Sequence, residues 1–178
     1  MLKSSPFISF EGIDGSGKTT QIELLKDQLM SLGKKVEVLR EPGGTFISEK
    51  IRRILLDKSN LNLASEAESL LFFASRNQLL KEKIIPMLDK DFFIICDRFN
   101  DSTIAYQGYG FRSDIEKLET ISKFATLNKS PELTFYLDIG ADKSISRRKD
   151  MIDDRIEKKG ISYLDRVRQG FLLLANKN

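Results

Sequence analysis

The chain has 178 residues, 40% hydrophobic and 31% charged, and 29 basic against 26 acidic residues leave a net charge of +3. That length and balance predict one soluble globular domain with a substantial core, and the small positive excess argues against a nucleic-acid partner. There is no histidine and one cysteine, Cys96, so His-dependent triads, imidazole catalysis, His-ligated metals and an internal disulfide are all excluded.

The first element is the apolar run "FISFE" (Phe7 to Glu11), which predicts a buried strand. The glycine-rich stretch "EGIDGSGKTT" starts at its last residue, Glu11, and leads into a helix with Ile22, Leu25 and Leu29 on one face, ending near Gly33. "KVEVLR" (Lys35 to Arg40) predicts a second strand. The stretch from about Leu63 to Ile85 predicts a long helix, bent or stopped near Pro86. "FFIICD" (Phe92 to Asp97) and "LTFYLD" (Leu133 to Asp138) predict two more strands. Helices are expected over Asp114 to Leu127 and Ser162 to Ala175.

This alternation predicts an α/β fold, a doubly wound parallel sheet of the P-loop NTPase type with helices on both faces. Ligands bind at the carboxyl ends of the strands in such sheets. The stretches "EGIDGSGK", "REPGG", "DRFN" and "LDIG" fall at those ends and are expected to converge on one cleft. No apolar run approaches the roughly 20 residues that span a bilayer, and "MLKSSPF" lacks a signal-peptide apolar region, so no membrane partner and a cytoplasmic location are expected.

Gly12, Gly17, Lys18 and Thr19 satisfy G-x-x-x-x-G-K-[ST] between a strand and a helix, the context in which glycines let backbone N–H groups wrap phosphates. The candidate ATP-binding residues are Gly12, Ile13, Asp14, Gly15, Ser16, Gly17, Lys18, Thr19 and Thr20. Lys18 is expected to reach the terminal phosphates and Thr19 to hold Mg²⁺. Asp14 would repel phosphate unless a cation lies between them; otherwise it is a turn former.

A guanine reader is not evident: Asn128-Lys129-Ser130-Pro131 lacks the carboxylate. Arg40, Arg76, Arg98, Arg147, Arg148 and Arg155 suggest a second anionic ligand, held by guanidinium forks opposite the triphosphate. Phe72 and Arg76 share a helix face, where a ring could stack on a flat base while the cation binds its edge or phosphate.

The stretches "FEGIDGSGKTTQ", "REPGGT", "LLFFASRNQ", "DRFNDSTIAYQG", "LTFYLD" and "DRIE" resemble the thymidylate kinases, in that family's order, and those enzymes transfer a phosphoryl group from ATP to dTMP. The resemblance implies that Glu41 and a cis Pro42 form a turn against the dTMP sugar and phosphate. It implies that Phe72 stacks on thymine, Arg76 binds the base edge and Arg98 grips the acceptor phosphate. Thr103 and Gln107 fall where the family binds the base, and Tyr106 where a ring disfavours a ribose 2′-hydroxyl. Asp14 would act through Mg²⁺ or Lys18, and so is a tentative metal ligand with Thr19.

The charged stretch Ser144 to Gly160 looks like a lid over ATP. Gly15 and Ser16 stand where some members carry a loop arginine, so the chain resembles the bacterial type with a lid arginine. Arg147 and Arg148 are the candidates, with Lys149 a weaker one. Family members usually continue beyond "FLLLANKN" with another strand and helix, so that segment is expected to be absent from a single domain spanning residues 1–178. The resemblance also implies a homodimer. The alternatives are a kinase for another deoxynucleoside monophosphate and a shortened, non-catalytic nucleotide binder.

Overall fold

The computed structural model describes residues 6–148, 155–156 and 159–177. Four parallel strands, β1 (Phe7–Glu11), β2 (Val36–Arg40), β3 (Phe93–Asp97) and β4 (Leu133–Tyr136), lie in the order β2-β3-β1-β4. Register pairs Phe10 with Asp97 and with Phe135 on either side, and Arg40 with Asp97. Strand β1 is buried throughout, which is why Phe7, Ile8 and Phe10 are apolar, while the buried Ser9 hydroxyl shares a hydrogen bond with Thr134 of β4 at 2.9 Å.

Helix α1 (Lys18–Ser31) lays Ile22, Leu25 and Leu29 against Ile8, Phe10 and Ile95 on one sheet face. On the other face, Leu79, Leu80 and Ile84 pack against Phe7, Leu39, Ile94, Cys96 and Phe99. Those side chains come from α3 (Ser65–Leu79) and a π-helical turn, Leu80–Ile84, that runs on into α4 (Ile85–Leu88). The long helix therefore bends through a widened turn ahead of Pro86 and ends beyond it. A proline lacks the N–H and crowds the carbonyl of an ordinary i→i−4 turn, and a wider turn accommodates both.

Three further helical segments lie between the predicted elements. Helix α2 (Phe46–Leu56) is capped by Thr45, whose hydroxyl accepts from the Ser48 amide at 3.1 Å. Helix α5 (Asn100–Thr103) continues into a π-helical segment, Ile104–Gly110, that is almost wholly buried, so no polar face interrupts its apolar pattern. Helix α7 (Ala141–Arg147) is short and mostly exposed.

The two remaining helices match their predicted positions. Helix α6 (Ile115–Ala125) is capped by Asp114, and α8 (Ile161–Ala175) buries Tyr163, Val167 and Phe171 in a third cluster with Tyr106. Close approach of α8 to the π-helical segment depends on glycine: a Cβ on Gly110 would meet Tyr163, and one on Gly170 would meet Tyr109, each at 2.6 Å.

Candidate active site

A cleft of about 890 Å³ opens at the carboxyl ends of β1, β2 and β3, and the β1–α1 loop, Arg40 to Pro42 and Asp97 to Gln107 all contribute to its wall. The fourth expected stretch, "LDIG", does not line it. Leu137 packs behind the phosphate loop, its carbonyl 2.6 Å from where a Gly12 Cβ would sit, and Asp138 pairs with Arg168 of α8 at 2.6 Å. Strand β4 thus supports the loop from behind rather than facing ligand.

The loop's shape follows from its glycines: Gly12 has φ 143° and Gly17, at the amino end of α1, has φ 98°. Lys18 is buried, donating to the carbonyls of Gly12 at 3.0 Å and Ile13 at 3.3 Å. Burial, then the nearby Arg98 charge, lowers the Lys18 pKa to about 8. Ile13 turns its side chain into the core, so only its backbone is available to a ligand. Gly15 lies beneath α7, and Thr19 and Thr20 stand exposed on the cleft wall. The buried Ser16 hydroxyl has no partner among the described residues.

Asp14 is not left facing the cleft as a bare carboxylate. Its Oδ1 accepts from Arg98 Nη2 at 2.8 Å and lies 3.9 Å from Lys18 Nζ. Burial works to raise its pKa, but Arg98 and Lys18 hold it well below the usual carboxylate range. Arg98 also donates to Ser102 Oγ at 3.0 Å and to the Tyr106 hydroxyl at 3.4 Å, and its guanidinium lies 5.1 Å from the Tyr106 ring centre. Its φ of 72° turns the chain sharply as it leaves β3.

The Glu41–Pro42 bond is cis. Glu41 is buried and takes the Arg76 guanidinium through Nη2 at 2.6 Å and Nε at 2.7 Å. Burial raises the Glu41 pKa against the pull of Arg76. Arg76 also donates to the Phe99 carbonyl at 2.8 Å and Thr103 Oγ1 at 3.0 Å, so α3, the β2 end and α5 are tied at one cation. Phe72, one turn earlier, is half-buried: it packs on the third cluster and also lines the cleft. Gln107 lines the cleft and donates through Nε2 to Glu68 at 2.9 Å.

Both lid candidates line the cleft: Arg147 is exposed and donates to the Gly15 carbonyl at 3.0 Å, while Arg148 is buried. Lys149 and most of the stretch 149–158 lie outside the described residues.

Four site residues escaped the sequence reading. Glu11, buried at the end of β1, accepts from the Phe99 amide at 2.7 Å and Ser102 Oγ at 2.5 Å, and burial with the Asp101 charge raises its pKa to about 7. Asp97 lines the cleft with a buried Oδ1 that has no partner among the described residues. Arg52 of α2 donates to the Pro42 carbonyl at 2.9 Å, and Glu68 gathers Gln107 and Arg155. Glu11 and Asp97 stood at strand ends where a carboxylate is a signal; Arg52 and Glu68 had none, because only the fold brings them close.

The family model described as Thymidylate kinase matches residues 10–178. A thymidylate kinase of Thermosipho africanus is 52% identical over 169 residues, 95% of this chain and 84% of that relative. One from Thermoanaerobacter sp. is 43% identical over 171 residues, 96% of this chain and 84% of the relative. The crystal structure of thymidylate kinase from Ehrlichia chaffeensis superposes with a TM-score of 0.80 at 39% identity, covering 98% of this chain and 88% of that one. This chain, with its phosphate loop, paired Asp14 and Arg98, and buried Arg76 in one cleft, belongs to the thymidylate kinase family.

Proposed function

We propose that this chain phosphorylates dTMP to dTDP with ATP, by in-line transfer of the γ-phosphoryl group to a 5′-phosphate oxygen with ADP as leaving group. The observation that carries the reading is that Lys18, Arg98, Arg76 and Phe72, from three separate elements, line the same cleft. The acceptor phosphate is already ionised, so no strong general base is needed, in keeping with a chain that has no histidine. What such a transfer needs is alignment and neutralisation of charge.

In this reading Gly12 to Thr20 cradle the ATP phosphates, with Ile13 acting through its backbone. Lys18 leaves its loop carbonyls for the β- and γ-phosphates, and Arg98 holds the acceptor phosphate. Glu41 and Pro42 shape the wall beside the sugar, Tyr106 crowds the 2′ position, and Phe72 stacks on thymine. Thr103, Arg76 and Gln107 face the base edge. Arg148 or Arg147 closes over the transferring group from a lid at about residues 144–160 of one kinase domain spanning the chain.

The donor set suits Mg²⁺, a hard cation that prefers oxygen: the Thr19 hydroxyl is exposed to the cleft and Asp97 has a buried oxygen with no partner among the described residues. Asp97 fits the role better than Asp14, whose charge is already engaged by Arg98 and Lys18. When bound with ATP, Mg²⁺ supplies charge neutralisation at the phosphate oxygens. The working form is a cytoplasmic homodimer.

A panel of dTMP, dUMP, dCMP and dGMP with ATP and Mg²⁺ tests the reading, with ADP release as the signal. The expected result is highest kcat/KM on dTMP. Preference for the purine, or no turnover of any of the four by folded protein, overturns it.

A further inference from the structure

Glu68 lies on α3, one turn before Phe72, and is fully buried. Its Oε1 accepts from Gln107 Nε2 at 2.9 Å, and its Oε2 accepts from Arg155 Nη2 at 2.6 Å, with Lys159 Nζ at 3.7 Å. Arg155 is tied down in turn, its Nε donating to the Leu55 carbonyl at 3.0 Å. The other end of the Gln107 amide is different. Its Oε1 is buried and has no hydrogen-bond partner among the described residues, although Gln107 lines the cleft. A buried carbonyl oxygen without a donor is costly to keep, which asks what donor it is kept for.

A glutamine side chain can normally rotate its amide by half a turn and offer a neighbour either its NH₂ or its oxygen. Here it has no such choice. A carboxylate paired with a guanidinium can only accept, so the NH₂ must face Glu68 and the oxygen must face away from it. We infer that Glu68 is a positioning residue that locks Gln107 as a hydrogen-bond acceptor, so that the base site demands an N–H donor from the pyrimidine ring.

The inference rests on the reading of Gln107 as a base-facing residue and deepens it. A ring imide, as in thymine, carries N3–H and satisfies an acceptor. Cytosine carries a bare N3 lone pair at the same place, and two acceptors would then face each other without a proton. Sites built on such a buried hydrogen bond reject the analogue that cannot complete it far more strongly than apolar pockets reject a missing methyl group. Selectivity between the two pyrimidine types is thereby delegated to a residue that need not touch the nucleotide.

The test compares wild type with Glu68→Gln, an isosteric change that lets the Gln107 amide turn. Preference for dTMP over dCMP, as the ratio of kcat/KM values, should fall about tenfold or more, through a higher KM for dTMP and a lower one for dCMP. The KM for ATP should stay put. Arg155→Lys keeps a cation on Glu68, and with it an accepting carboxylate against the Gln107 amide, and should keep the wild-type ratio. An unchanged ratio in folded E68Q, or an equal loss in R155K, overturns the inference.

Should E68Q fail to fold, the wild-type protein still decides the matter by NMR of the Gln107 side-chain amide. Its NH₂ protons should exchange slowly and keep their shifts when dTMP is added. Fast exchange, or large shifts reporting donation to the ligand, overturns the assignment. Absence of wild-type turnover on dTMP would instead strike the proposed function, and is read before any variant is made.

Discussion

Arg98 and Asp14, 84 residues apart in the chain, meet at 2.8 Å where the loop after β1 faces the end of β3. The contact joins the stretch that resembles a triphosphate cradle to the one that resembles an acceptor-phosphate grip. Each group answers a problem of the other. Asp14 would repel phosphate without a cation beside it, and a buried guanidinium would be costly without an anion.

Replacing Arg98 removes the cation from that junction together with its contacts to Ser102 and Tyr106. Arg98→Ala should lower kcat by about 10² to 10³-fold, the usual cost of deleting one preorganised charge-stabilising donor. Steady-state kinetics with ATP and dTMP check it, and a loss of less than about tenfold would remove Arg98 from the transfer step.

Lys18 should matter for turnover and little for stability. Burial lowers its pKa to about 8, which means that the folded environment disfavours its charge. Lys18→Ala is expected to abolish measurable transfer while the melting temperature stays near that of wild type. Near-normal activity in the folded variant would show that another group neutralises the phosphates.

The two candidate lid arginines both line the cleft and differ in burial: Arg147 is exposed and donates to the Gly15 carbonyl, whereas Arg148 is buried. Arg148→Ala should therefore cost about 10²-fold in kcat and Arg147→Ala less than tenfold, on the same scale of donor deletions. Kinetics of the two variants showing the reverse order would make Arg147 the lid cation.

Glu11 gives a stability prediction. Burial, with Asp101 adding to it, raises its pKa from 4.5 to about 7, so the folded state holds a proton that the unfolded state has released across that interval. Its favourable contribution is complete below about pH 4.5 and is lost as pH rises through about 7. Denaturant melts of Glu11→Gln against wild type should show the variant gaining relative stability from pH 4.5 to pH 7. A difference that stays flat over the interval would mean that Glu11 ionises normally in the fold.

The alternation of apolar runs with periodic stretches was enough to read a parallel sheet and its helices, since β1 and β3 are buried on both faces and the helices repeat at 3.6 residues. The phosphate loop and the face shared by Phe72 and Arg76 were legible for a related reason: their spacing in sequence is itself the chemistry. Helix α2 carries no clean periodic signal, because Phe46, Ile47 and Ile54 lie on its exposed side and blur its apolar face. The π-helical run from Ile104 to Gly110 has a different period and no solvent face to mark it.

By itself the sequence determined the fold class and the family, because strand periodicity and loop motifs are local. Only the tertiary structure decided what each site side chain is paired with. It placed Glu41 on Arg76, Asp14 on Arg98, and Glu68 on Gln107 and Arg155, and it moved "LDIG" from the cleft to the back of the loop. Such partners come from distant segments that burial presses together, and which oxygen faces which nitrogen follows from packing in three dimensions.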